Sequence, residues 1–428
     1  MGKNKIIYFF DALIVLLNIA TGRGNILLYW LTGLGSSGHI QALVIFFDIV
    51  YLLLRTKGLK GKTYVKVPSA AILMFVILLV NLLNIIIEGK TNPLAQTIHI
   101  VLCTLFIMIL HKISNEYLSK PNRDLAPQML SKGYVWLTFL SVAGIILSFV
   151  LMHVLGPRMD PVSADFLEAN IDKGETYYRS YFSMNMFVLF GRVPFFQDYG
   201  MLCGLYHEPH TLAMGIFPCL ILLLGFAKNN RMRWFLAIIS ALMILFAGSA
   251  TNILVVAGCL LLYFIVNSKN NFWGTIVTAI VVVVAVVIYS RVDTTLLDFV
   301  YGRLDADSGS QQYSVSNLEW TFSPKTLMGS NFFATSYVKE LMDSATITKD
   351  VGYIPMILYI IFLFCYLKDT IKLILSKNSV GMAVGFASLY LIAHSAKICM
   401  TLFGQTLPLL MIYLQALTLK LLWKKQAS

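Results

Sequence analysis

The chain has 428 residues, of which 58% are hydrophobic and only 13% charged, and its mean hydropathy is +0.75. A soluble domain carries about 25% charged residues, so the composition excludes an ordinary globular protein and points to a polytopic membrane protein. The net charge of +12 would suit nucleic acid in a polar chain; here the basic residues are read as topology signals, with no nucleic-acid partner.

The first segment starts with Lys3 and Lys5 and continues apolar, as a signal peptide would. It lacks a small-residue cleavage site followed by a soluble body, so it is kept as a span. Further apolar segments lie at roughly 38–54, 67–87, 93–111, 134–156, 205–226, 234–249, 251–267, 272–290, 352–367, 379–395 and 401–419. With 6–22 these predict an all-α fold of about twelve transmembrane helices in a single membrane domain over 1–428, with two large loops, 157–204 and 291–351, containing short helices.

Two stretches are ambiguous. Residues 24–35 either continue the first span or lie at the interface with Tyr29 and Trp30 as anchors, and 234–267 reads as two short spans joined at Gly248-Ser249-Ala250-Thr251. Reading 234–267 as one span would remove the charge asymmetry described next.

With a cytoplasmic N terminus, most of the 33 Lys and Arg fall in inward loops, notably 55–66, 112–133, 228–233 and the region after 367. Cytoplasmic loops carry an excess of Lys and Arg. Both termini are therefore expected in the cytoplasm and both large loops on the outer side of the membrane.

Arginine departs from that bias: Arg23, Arg158, Arg179, Arg192, Arg291 and Arg303 all lie on the outward side. Its planar fork binds phosphate oxygens in pairs, so the set suggests a phosphorylated ligand. Loop salt bridges with outward acids are the plainer explanation.

In the first loop, Ser163 is placed to cap a short helix carrying Asp165 and Glu168 in its first turn. The aromatic stretch from Tyr177 to Tyr199 follows, interleaved with Arg179 and Arg192. Such rings stack on sugars and also populate membrane boundaries. In the second loop, Gly302 follows Arg291 after ten intervening residues, with Arg303 next to it, and Leu296, Leu297, Phe299 and Val300 between them suit a short surface helix.

His207, Glu208 and His210 form a polar collar at the mouth of an apolar segment, GLYHEPHTLAMGIFPCLILLL over 204–224. Glu208 is the first candidate general base, His207 the second and His210 an orienting group, while the plainer alternative has Glu208 paired with an arginine and Pro209 simply starting a helix. Asp11, Asn18, Asp48, Asn81 and Asn84 lie inside spans, where ionisable groups are functional candidates by default and asparagines also bond between helices. His394 and Lys397 offer a further cationic contact. The six cysteines stand singly in or beside apolar segments and read as buried thiols; no metal set is expected.

These residues resemble a known family. The 204–224 segment, the Gly-Ser-Ala-Thr turn at 248–251 and WTFSPKTLMGSN at 320–331 are similar to motifs of the Wzy-type oligosaccharide repeat-unit polymerases (O-antigen and capsular polysaccharide polymerases) and the related O-antigen ligases. The likeness covers roughly 177–340 and the overall layout. Two departures stand out: His210 replaces the family's asparagine after the proline, and Gln311 and Gln312 stand where relatives often carry another arginine.

The resemblance implies glycosyl transfer from an undecaprenyl-diphosphate-linked oligosaccharide to a sugar hydroxyl at the outer face of the bacterial cytoplasmic membrane, without cofactor or metal. It also implies diphosphate binding by Arg179, Arg192, Arg291 and Arg303, and a chain-length regulator and a flippase as partners. A lipid-linked oligosaccharide flippase and an O-antigen ligase remain alternative readings. The flippase would show repeat symmetry, short loops and midplane charge.

Overall fold

A computed structural model describes residues 2–22, 25–34, 37–55, 64–88, 93–156, 158, 160–161, 175–189, 201–206, 209–247, 250–267, 323–329, 352–395 and 406–426. In chain order the elements are α1 (Gly2–Ala20), α2 (Leu27–Thr32), α3 (Ser37–Leu54), α4 (Ser69–Glu88), α5 (Pro93–Ser119), α6 (Ala126–Leu130) and α7 (Lys132–Leu155). The strands β1 (Asp160–Pro161), β2 (Glu175–Arg179), β3 (Asn185–Leu189) and β4 (Met201–Gly204) follow. Then come α8 (Pro209–Phe226), α9 (Asn230–Ala247), α10 (Ala250–Asn267), α11 (Pro324–Met328), α12 (Tyr353–Ile374), α13 (Ser379–Ser395) and α14 (Thr406–Gln426).

The chain is a mostly helical membrane protein. Among the described residues, five helices are long and apolar enough to cross a bilayer, namely Ser69–Ile87, Pro93–Ser119, Lys132–Leu155, Tyr353–Ile374 and Thr406–Trp423. Shorter apolar helices occupy Ile6–Ala20, Gly38–Leu54, Thr211–Phe226, Val255–Val266 and Ser379–Ala393. The described part of segment 234–249 falls within α9, and 272–290 lies outside the described residues. A backbone in lipid must satisfy its own N–H and C=O groups, and a helix does this within one segment.

Some local expectations meet a different outcome or none. Residues 24–35 do not extend α1: the chain turns at Thr21–Gly22, where both N–H groups bond back into α1, and a separate six-residue helix, α2, ends at Gly33 with φ 69. The first large loop, expected to contain short helices, has in its described part a four-stranded antiparallel sheet in the order β1-β2-β3-β4, with the short 3₁₀ helix Tyr181–Ser183 between β2 and β3. The Ser163 cap and the surface helix between Arg291 and Arg303 lie outside the described residues. The second loop does contain a short helix, α11.

The chain divides into two compact units. The first comprises residues 1–140 and 315–428. Within it α5 is central, with Leu102, Cys103, Phe106, Ile109, Leu110 and Ile113 all fully buried. On α12, Tyr359, Phe362 and Tyr366 recur on one face and stack with ring centroids 5.9 and 6.1 Å apart. A Gly-x-x-x-Gly spacing, Gly381 and Gly385 on α13, lets two helix backbones approach: a Cβ at 385 would sit 2.9 Å from the Ile374 nitrogen and 3.1 Å from the Thr370 oxygen. Gln415 on α14 donates to the Thr370 hydroxyl at 2.9 Å.

The second unit comprises residues 141–314. Its described part holds the sheet, α8, α9, α10 and the latter part of α7. Residues 211–222 of α8 are all buried, so this helix is apolar all round rather than amphipathic, the pattern of a helix enclosed by protein.

Candidate functional site

The collar residues sit where a strand hands over to a helix, and the local sequence explains the handover. β4 pairs with β3 as Asn185 with Gly204 and Met186 with Leu202, so Cys203 is an extra residue in a bulge. Gly204 then adopts φ 64, in the left-handed region that favours glycine. A Cβ at 204 would lie 2.7 Å from both Ile145 Cδ1 and Ser141 Oγ, so this glycine is required by space as well as by backbone angle.

The turn after it is held by the Tyr206 N–H donating to the Cys203 oxygen at 3.0 Å and by the Leu205 N–H donating to the Ser141 hydroxyl at 3.4 Å. The Tyr206 ring lies against Gly215 so closely that a Cβ there would overlap it. Helix α8 begins at Pro209, consistent with proline's fit at a first helical position, where no N–H is needed. His210 is the second residue of that helix; its side chain, like His207 and Glu208 as a whole, lies outside the described residues.

Strand register brings one predicted arginine to this place. Arg179 closes β2 and pairs with Asn185, and Asn185 pairs with Gly204. The three therefore form one row across the sheet. With adjacent strands about 4.8 Å apart, Arg179 and Gly204 lie about 10 Å apart, and Glu208 follows Gly204 by four positions along the chain. Arg179 is half-buried. Arg192, Arg291 and Arg303 lie outside the described residues, so of the predicted diphosphate set only Arg179 is placed.

The β2–β3 connection is anchored rather than loose. Ser180 and Ser148 hydroxyls are 2.9 Å apart, the Ser180 hydroxyl donates to Met152 Sδ at 3.1 Å, and the Tyr181 hydroxyl donates to the Gly156 oxygen at 3.1 Å. Met184 fills the notch that Gly144 leaves on α7. At the tip Phe182 takes φ 54 and remains 58% exposed. An aromatic ring held outward at the cost of a left-handed backbone is a strained and specific arrangement.

A second polar constellation, in the first unit, was only half legible in the sequence. Asp11, 1% exposed, accepts the Tyr51 hydroxyl at 2.6 Å, the Tyr117 hydroxyl at 2.8 Å and Arg55 Nη2 at 2.9 and 3.1 Å. Arg55 Nη2 also reaches Glu116 at 2.7 Å, while Lys112 lies 3.7 Å from the same carboxylate and donates to the Arg55 carbonyl. Burial alone would favour a neutral Arg55 guanidine, but Tyr51, Asp11 and Glu116 around it raise its pKa above the ordinary arginine value. The i,i+4 pairs Tyr51–Arg55 and Lys112–Glu116 are the sequence signal that points to it.

The span asparagines prove to be interior: Asn18, Asn81 and Asn84 are buried, and Asn84 donates to the Met328 carbonyl at the end of α11. That contact docks the Ser323–Gly329 stretch, whose helix is capped reciprocally: the Thr326 N–H donates to Ser323 Oγ at 3.1 Å and the Ser323 N–H to Thr326 Oγ1 at 2.9 Å. The His394 side chain and Lys397 lie outside the described residues. Among the described residues no group of His, Cys, Asp and Glu is arranged to hold a metal.

Fold and site thus define a mostly helical membrane protein with a strand-to-helix junction whose described residues, 202–206 and 211–222, are buried. No family model, no curated protein and no solved structure matches the chain.

Proposed function

We propose that the protein is a polysaccharide polymerase: a glycosyltransferase that joins undecaprenyl-diphosphate-linked oligosaccharide repeat units at the outer face of the bacterial cytoplasmic membrane, with both termini in the cytoplasm. The observation that carries the reading is the row Arg179–Asn185–Gly204, which sets an arginine across the sheet from the chain that runs through Glu208 into α8. A helix N terminus favours negative charge beside it. That supports both an ionised Glu208 and an anionic substrate group near Pro209.

In the reaction the acceptor sugar hydroxyl attacks the anomeric carbon of the donor. A carbon–oxygen bond forms as the bond to the diphosphate oxygen breaks. The hydroxyl proton passes to Glu208, or to His207 if Glu208 is paired, with His210 orienting the base. The departing diphosphate takes the electron pair, and Arg179, Arg192, Arg291 and Arg303 stabilise the charge that develops on it. Exposed rings such as Phe182 suit stacking on sugars.

The test is a reconstituted reaction: purified protein with a short lipid-linked repeat unit yields a ladder of longer glycans. Substrate of unchanged length that crosses liposome bilayers instead identifies a flippase. Transfer of one finished chain to a different acceptor identifies a ligase. Arg179→Lys and Arg291→Lys should each lower turnover at least tenfold, because a point charge does not replace a bidentate fork. Glu208→Gln should abolish it. Full activity of all three variants refutes the site.

A further inference from the structure

The two aspartates inside spans meet opposite surroundings. Asp11 receives two hydroxyls and a guanidinium. Asp48 on α3 is 0% exposed and receives one donor: Asn18 Nδ2, itself 0% exposed on α1, at 2.7 Å from Asp48 Oδ1. The same amide nitrogen donates to the Ile14 carbonyl at 3.0 Å. A carbonyl can only accept, so that bond fixes which end of the Asn18 amide carries the hydrogens.

Two oxygens are left over. Asp48 Oδ2 and Asn18 Oδ1 are buried and have no hydrogen-bond partner among the described residues. Both are acceptors when Asp48 is ionised, and two buried acceptors left without donors are unfavourable. A single hydrogen on Oδ2 turns it into a donor for its neighbour's free oxygen and completes a reciprocal acid–amide pair.

No described cation competes for the role. Arg55, seven residues further on, just past the end of α3 and about 10 Å away, is bound to Asp11 and Glu116. On α5, which packs on α3, Lys112 is engaged with Glu116, His111 with Asn115 and His99 with Cys103. On α1 the remaining charged group in the described interior is Asp11 itself. His39, at the start of α3, is nine residues away.

We propose that Asp48 is a proton-binding site: buried without a cation, its carboxyl is the neutral acid, in a reciprocal hydrogen-bonded pair with Asn18 between α1 and α3. The ligand is a hydrogen ion. Separation of α1 from α3 that admits water to Asp48 lets the carboxyl ionise, so such a movement of these helices releases a proton.

The experiment is infrared spectroscopy of the purified full chain in lipid nanodiscs at neutral pH. The wild type shows a carbonyl stretch of a protonated, hydrogen-bonded carboxylic acid, and Asp48→Asn loses it. Because an amide at 48 can both accept from and donate to Asn18, Asp48→Asn keeps the wild-type melting temperature. Asn18→Leu keeps the acid band but shifts it to the higher frequency of an acid without an acceptor, a readout that stands even if Asp48→Asn fails to fold. Absence of the band in the wild type overturns the proposal. So does a rise in melting temperature with sodium or potassium that Asp48→Asn removes, which marks a metal-cation site instead.

Discussion

Replacing Asp11 by asparagine tests whether the Arg55 network holds the first unit together. The amide keeps the shape of the carboxylate but turns one of its oxygens into a donor that faces the Tyr51 hydroxyl, the Tyr117 hydroxyl or Arg55, all donors to Asp11 in the native protein. Breaking one side of a buried ion pair costs about 3–5 kcal/mol. Arg55 keeps its 2.7 Å contact with Glu116 and its side chain is 16% exposed, which moves the pair's share to about 3 kcal/mol, the low end of that range. Loss of a good acceptor for a buried tyrosine adds about 1 kcal/mol. Asp11→Asn should therefore destabilise by about 4 kcal/mol, read by unfolding in detergent micelles of rising SDS content. Arg55→Met should cost a similar amount, and the double variant should fall short of the sum by about 2 kcal/mol. Additive losses, or an Asp11→Asn variant within about 0.5 kcal/mol of the parent, would refute a coupled network.

Gly204→Val places a branched side chain at φ 64 against Ser141 and Ile145; it should cost about 2–3 kcal/mol and, on the proposed function, abolish the glycan ladder. Gly385→Val presses on backbone atoms of Thr370 and Ile374 that cannot give way, so α12 and α13 should separate, with a loss of about 2 kcal/mol seen in the same unfolding assay. Ser323→Ala removes one half of the reciprocal cap on α11 and should cost about 1 kcal/mol, read as faster proteolysis near 323–329. Cysteines introduced singly into 330–350 should react with a membrane-impermeant maleimide added to intact cells; labelling only after permeabilisation would reverse the proposed orientation and move the arginine set to the wrong side of the membrane.

Much of the helical framework could be read from the sequence, because runs such as 67–87 and 134–156 have no alternative once water is absent. The sheet could not. Its strands Glu175–Arg179 and Asn185–Leu189 are rich in rings and β-branched residues, but the same rings suit a membrane boundary, and composition does not separate the two. The bulge at Cys203 and the left-handed Gly204 depend on the fit against Ser141 and Ile145, which lie some sixty positions earlier in the chain and leave no local trace. For the candidate site, Pro209 as a helix start was legible from its fixed φ and missing N–H, whereas the alignment of Arg179 with Gly204 depends on strand register. In the first unit, Asp11 and Asp48 announce themselves equally as charges in apolar spans. Only the placement of Tyr51, Arg55 and Tyr117 around one and Asn18 beside the other tells them apart.

Helix α8 has no side left over for lipid between 211 and 222. A helix that faces lipid tolerates exchange of one oily residue for another on its outer stripe, since acyl chains adapt to any shape. Here every position has a fixed neighbour, so substitution scanning should find no permissive stripe and no 3.6-residue rhythm of tolerance. Once seated, this helix cannot rotate about its axis without disturbing the whole ring of side chains around it.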